Sequence, residues 1–300
     1  MNIEDLRKLA HLAQTQNLHT SAAAFNITTG ALSKTLKKIE AQLNNIIFDR
    51  VGRNIQINTN GKKFTLYANE LIHQYDQMLS EFVSTQVKHS LNIAGPSVLL
   101  DHVLDKLLPH ISTAQFEVNL EAVFEGDAIN KLKSGAAHLA IVTDDALPDW
   151  RSAGFHALPL GVTTFELVAA KNHPIHQIET PALADINNAF FACPSSSAFC
   201  GIVRGVGSDG WPDHRYPRNI AFRCDNFASL LNVIKKHPAL AYLPDIAIDE
   251  QLSVIKLSDF SAQNQERINL VYKPSFSTGW LNQLIDRISA SHIHTLSFNE

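Results

Sequence analysis

The chain has 300 residues, 45% of them hydrophobic and 18% charged, with a formal net charge of −4. That length suits two or three compact units. No apolar run approaches the ~18 residues of a membrane span and no basic segment followed by an apolar core opens the sequence, so membrane and secreted classes are set aside and a cytoplasmic location is expected.

Charge is unevenly spread. Residues 1–66 hold nine Lys/Arg against four acids, a net of +5 that leaves −9 for the remainder. A basic head on an acidic body is the distribution of a nucleic-acid binder. The three cysteines, Cys193, Cys200 and Cys224, show no C-x-x-C spacing. They read as buried or reduced thiols, with a redox pair of Cys193 and Cys200 as the alternative.

In chain order, Glu4 to Gln14 carries Leu6, Leu9, Ala10 and Ala13 at the spacing of a short amphipathic helix. An Ala-rich helix then ends at Phe25-Asn26, where Asn suits the left-handed conformation that terminates helices. Ile27 turns inward and Thr28 caps a second helix. Helix, tight turn, helix over about 17–36 is the helix-turn-helix layout, whose second helix enters the major groove. In that helix Leu32, Leu36, Ile39 and Leu43 recur at i, i+4, i+7, i+11, a buried stripe. Gly30, Lys34 and Lys37 fall on the opposite side with Ser33 beside them, and Thr28 and Thr29 stand at the N-terminus. Short donors there suit base edges and the ammonium groups suit phosphate. The Lys cluster alone favours an ordinary solvated helix face; the surrounding motif favours DNA.

Ile46 to Arg50 and Asn54 to Asn58 are runs of β-formers around Val51-Gly52-Arg53, a hairpin wing whose Arg50 and Arg53 are expected on phosphate or in the minor groove. Residues 1–60 resemble the winged helix-turn-helix of LysR-type transcriptional regulators. The resemblance rests on Ser21-Ala22, Ala31-Leu32-Ser33, Ile39-Glu40, Phe48-Asp49-Arg50, Gly52-Arg53 and Gly61 at matching intervals. Asn44 stands where that family usually has Gly, Asn58 where it usually has Thr, and Gly30 where Pro or a small residue is common.

Thr59 to Lys88 reads as one proline-free helix, a linker over 61–89. Phe64, Ala68, Leu71, Tyr75, Met78 and Phe82 follow at steps of 4, 3, 4, 3, 4, a heptad seam expected to pair with the same helix of a second subunit. The resemblance likewise implies a dimerisation helix here.

From Ser90 onward strands and helices alternate, the order of an open α/β sheet. Expected strands are Leu91–Ala94, Phe116–Ala122, His138–Val142, Phe165–Ala170, Ala189–Cys193, Leu240–Leu243 and Arg267–Tyr272. Expected helices are Val98–Ile111, one opened by Gly126-Asp127 and reaching Ser134, Asn226–Lys236 and Thr278–Ser291. Val118 and Leu120 are expected on the inner face of the second strand. The family resemblance, loose after residue 90, implies a two-lobed periplasmic-binding-protein-like effector domain over 90–300. Lobe I would take 90–162 and 268–300, and lobe II 163–267. Ligands of such folds sit at carboxyl ends of strands. That places Ser97, Phe124 and Thr143 in one lobe and Ser195, Ser196 and Asp225 in the other as candidate ligand residues, suited to a small-molecule effector that is an anion or carboxylate.

Gly205-Val206-Gly207-Ser208-Asp209-Gly210 matches G-x-G-x-x-G, but Trp211-Pro212 follows in place of a helix, so a phosphate cradle is not expected. His292-x-His294 and His173-x-x-His176 lack partners at metal-ligand spacing, and no nucleophile elbow appears, so no metal, cofactor or catalytic residue is expected. The resulting expectation is a regulator binding double-stranded promoter DNA as a dimer or tetramer and answering a small molecule, with RNA polymerase a further candidate partner. The competing readings are an α/β enzyme tethered to DNA and a ligand-independent DNA binder.

Overall fold

The structure, a computed structural model, describes residues 1–52, 54–82, 88–146, 154–203, 205–261, 264–274 and 279–296. It opens with α1 (Ile3–Thr15), α2 (Leu18–Ala24) and α3 (Thr29–Leu43). Each start carries its own cap: Asn2 accepts from Asp5 N–H, Asn17 from His19 and Thr20, and Thr28 from Ala31. Asn26 and Asn44 adopt φ of 53° and 49°, the left-handed turns that end α2 and α3. Leu9, Leu12, Leu32 and Ile39 are fully buried in a core shared by α1, α2, α3 and the wing. Burying each such side chain contributes roughly 1.5–3 kcal/mol. Leu43, expected in that stripe, is exposed instead. It lies on the last turn of α3 and faces an open groove, not the core.

The wing is β1 (Phe48–Val51) paired antiparallel with β2 (Asn54–Ile57), turning at Gly52. Glu40 ties α3 to this hairpin by accepting from Ile47 N–H (2.9 Å) and Phe48 N–H (3.3 Å). The long helix α4 (Thr59–Phe82) starts where Asn58 Oδ1 accepts from Gly61 N–H. A Cβ at Gly61 would run into the Ile47 carbonyl, so only glycine lets the helix seat against the wing. The expected helix to Lys88 is shorter: Lys88 is non-helical and β3 (His89–Gly95) follows at once, while 83–87 lie outside the described residues.

The body continues with α5 (Ser97–Leu107), β4 (Phe116–Ala122), α6 (Glu125–Ser134), β5 (Leu139–Thr143) and β6 (His156–Ala170). Then come α7 (Leu183–Ile186), β7 (Phe190–Pro194), β8 (Asn219–Cys224), α8 (Phe227–Lys236), β9 (Ala239–Pro244), β10 (Leu252–Val254), β11 (Gln265–Tyr272) and α9 (Trp280–Leu296). The strands run in the order β4-β3-β5-β11-β6-β9-β7-β8, with β10 on β6. In the first lobe β3 is parallel to β4 and β5, and in the second β7 is parallel to β8 and β9.

The expected cut between 162 and 163 falls inside β6. Its first part pairs with β11, while Phe165–Val168 pair with β9, so one strand belongs to both lobes. With β11 it forms the two-stranded crossing between them. β8 and β10 had no counterpart among the expected strands. Leu120 is exposed and not inward; it lies on β4, the edge of the sheet, which among the described strands is bonded to β3 alone and leaves this side chain uncovered. No described helix is long and apolar enough to cross a membrane.

Candidate functional site

Three surfaces carry the candidate residues. On α3 the side chains of Lys34 and Lys37 are exposed, Gly30 lies open, and Ser33 is half-buried, all on the face away from Leu32, Leu36 and Ile39. Thr28 and Thr29 are exposed at the helix start, where Thr28 spends its hydroxyl on the cap to Ala31 N–H. Lys38 turns away from this face: its ammonium bonds Asp5 of α1 at 3.0 Å. Burial alone would raise the Asp5 carboxyl, but the hydrogen bond and charge of Lys38 outweigh it and hold the group below the usual carboxylate range. Arg50 is exposed on the wing, and Arg53 lies outside the described residues.

Along α4 the expected seam divides. Phe64 packs against the head's core and Ala68 is buried within its own chain. Leu71, Tyr75 and Met78 are 48, 36 and 48% exposed, and Tyr67, not anticipated, is 64% exposed. The side chain of Phe82 lies outside the described residues. Tyr67, Leu71, Tyr75 and Met78 make a stripe at steps of 4, 4 and 3, a spacing legible in the sequence. It continues into an apolar groove of about 320 Å³ lined by Met1, Leu6, Leu43, Phe64, Tyr67 and Leu71.

Between the lobes lies a cavity of about 370 Å³. The N-termini of α5, α6 and α8 open onto it, bringing Ser97, Phe124, Ser196 and Asp225 together with Asp127 and Ser197, which had not been singled out. Thr143 and Ser195, expected here, do not line it. Thr143 is fully buried behind Glu125, whose carboxylate accepts its N–H at 2.6 Å. Ser195 prolongs β7 by donating its N–H to the Cys224 carbonyl, so the chain turns to the cavity only at Ser196. A second cavity, of about 630 Å³, shares the wall of Pro194, Ser197, Ala198 and Phe227 and extends past Phe165, Trp211 and Asn264 into the second lobe.

The comparisons with known proteins agree with this arrangement. Residues 3–62 match the model of the bacterial regulatory helix-turn-helix protein, lysR family, and residues 84–291 match the LysR substrate binding domain. The chain belongs to the LysR family. Among its relatives, the HTH-type transcriptional activator IlvY of Salmonella typhimurium is 25% identical over 156 residues, a match spanning about half of each chain (47 and 49%). The hydrogen peroxide-inducible genes activator of Dickeya chrysanthemi is 23% identical across 96% of this chain and 95% of that one. The crystal structure of ArgP from Mycobacterium tuberculosis shares the fold with a TM-score of 0.65 at 14% identity, covering 95% of both chains.

In this LysR-family chain the Gly205–Gly210 run is no phosphate loop. It folds so that Asp209 and Asp213 clamp the buried Arg218 guanidinium, with Nη1 and Nη2 at 2.8 and 2.7 Å from Asp209 and Nε at 2.8 Å from Asp213. The guanidinium also stands over the rings of Phe191 and Trp211. Such a buried cluster had no local sequence signature, since its members, Arg218 just before β8 included, are ordinary loop residues until the fold brings them together. All three cysteines are free thiols. Burial, reinforced by Asp209, pushes the Cys193 thiol far up, which disfavours its thiolate.

Proposed function

We propose that the protein is a promoter-binding transcriptional regulator built of a DNA-reading head, a linker helix and a two-lobed body, working as a dimer and answering a small molecule held between its lobes. The exposed face of α3 carries this reading. Gly30, Ser33, Lys34 and Lys37, with Thr29 at the helix start, face outward on a helix whose other side is locked to α1 and the wing. That geometry suits insertion into a major groove, with Arg50 on the flanking phosphates.

A second copy is the fitting occupant of the Tyr67, Leu71, Tyr75 and Met78 stripe. The stripe stays exposed on a helix whose other side is met by α1 as far as Asp76, and the adjoining groove is apolar. Two heads joined by a symmetric pair of such helices would read the two halves of an interrupted palindrome.

For the effector, the inter-lobe cavity offers Ser97, Ser196 and Ser197 beside Asp127 and Asp225, with no Lys or Arg among the described lining residues. This lining departs from the anion expected on sequence grounds. It favours a small polar molecule with donor groups toward the carboxylates and acceptors toward the serines and helix N-termini. Thermal-shift screening of polar metabolites on the full chain tests it. A bound compound stabilises the native state by about 2.7 kcal/mol at a hundredfold excess over its dissociation constant. The effect is expected to shrink in Ser97→Ala and in Asp225→Asn. A ligand whose stabilisation is equal in the parent and both variants would place the effector elsewhere.

A further inference from the structure

The helix α6 is tied at both ends to parts of the molecule that belong to different tasks. At its N-terminus Phe124 and Asp127 line the inter-lobe cavity. There the Glu125 N–H donates to the carbonyl of Phe199 in the second lobe at 3.1 Å, and the Phe124 ring lies so close over Gly201 that a Cβ at Gly201 would enter it. At the other end the left-handed Gly135 closes the helix and its N–H takes the carbonyls of Leu132 and Lys131. The Ser134 carbonyl, one of the orphan acceptors of a helix C-terminus, is taken by the linker: Asn69 Nδ2 of α4 donates to it at 2.5 Å. Asn69 is buried although it is polar, and a buried carboxamide is costly unless its bonds are made. The helix between these ends has ten residues, about 15 Å of stiff rod at 1.5 Å per residue, seated on the body through Ala128, Ile129 and Leu132.

We infer that α6 is the rod linking the lobe spacing at the cleft to the dimerisation helix, and that Asn69 is the positioning residue through which the linker feels it. A change in the gap between Phe124 and the Phe199–Gly201 segment moves the α6 N-terminus. Since the helix is stiff and its C-terminal carbonyl is held by Asn69, the displacement is delivered to the middle of α4, between Tyr67 and Leu71 of the exposed stripe. The link itself needs no ligand; its use as a signal rests on reading the cleft as the effector site.

Hydrogen exchange on the full-length protein without any ligand tests the link, using Gly201→Ala as a wedge at the cleft. The expected result is a several-fold change in amide exchange of α4 around residues 66–72 in Gly201→Ala. That change should be absent when the wedge is introduced into Asn69→Ala. It should be equally absent in Asn69→Asp, which keeps the shape of the side chain but replaces its donor with an acceptor. If Gly201→Ala does not fold, Phe124→Ala removes the same contact from the other side and is expected to alter α4 in the parent but not in the Asn69 variants. Exchange in α4 that ignores the cleft substitution, or that shifts equally with and without the Asn69 amide, overturns the proposal. An effector found in the cleft by thermal shift would then stand without this route.

Discussion

At the scale of single residues, the stakes are set by whether a buried polar group keeps its partner. Arg218, Asp209 and Asp213 have side chains 1, 3 and 13% exposed, and the arginine is held by two carboxylates and two rings. Arg218→Met would leave both carboxylates buried and uncompensated, so the full chain is expected to lose about 3–5 kcal/mol in denaturant unfolding. A loss under 1 kcal/mol would mean that the loop relaxes to let water in. Asp5 gives a pH signature. Its folded carboxyl is held below its unfolded value, so the stability it supplies is complete above the unfolded pKa and is lost as pH falls through the folded one. The gap in melting temperature between the parent and Asp5→Asn is therefore expected to be widest at neutral pH and to narrow below about pH 4. A constant gap would assign the effect to packing. At this scale the sequence was read unevenly. Asn26, Asn44 and Thr28 declare their roles through local backbone chemistry, whereas Ser195 and Ser196 differ only in which way a strand end turns, and nothing in their neighbours encodes that.

At the scale of elements, periodicity located α3 and α4 but could not say what covers each face. The 4-3 seam of α4 mixes two surfaces. Phe64 packs on the head's own core and Ala68 is buried, while Leu71, Tyr75 and Met78 continue the same pattern into solvent. A stripe of apolar residues looks the same whether its partner lies in the same chain or another. Glu at both Leu71 and Met78 is expected to abolish dimerisation in light scattering, since it would place like charges in the seam, and to leave the monomer's helix content unchanged. An unaltered mass would refute the α4 seam. β6 was half legible: its second part, Phe165–Ala170, is a short apolar run, but its first part pairs with β11, more than a hundred residues away, and no local pattern announces a strand shared by two lobes.

For the molecule as a whole, the helix-turn-helix head, α4 and the two-lobed body are tied together by specific polar contacts. Arg7 of α1 pairs with Asp76 of α4, holding the head to the linker, and Asn69 holds the linker to α6. On the proposed reading, assembly and DNA reading meet on α4. The measurement that tests the central claim most directly is selection of duplexes from a random pool by the full-length protein, followed by anisotropy on the winners. The account predicts enrichment of an interrupted palindrome. Ser33→Ala and Lys34→Ala should each weaken binding by about 1–3 kcal/mol, and Lys34→Ala should also flatten the salt dependence by about one counterion. No enrichment, or equal affinity of the parent and both variants at every salt concentration, would contradict it.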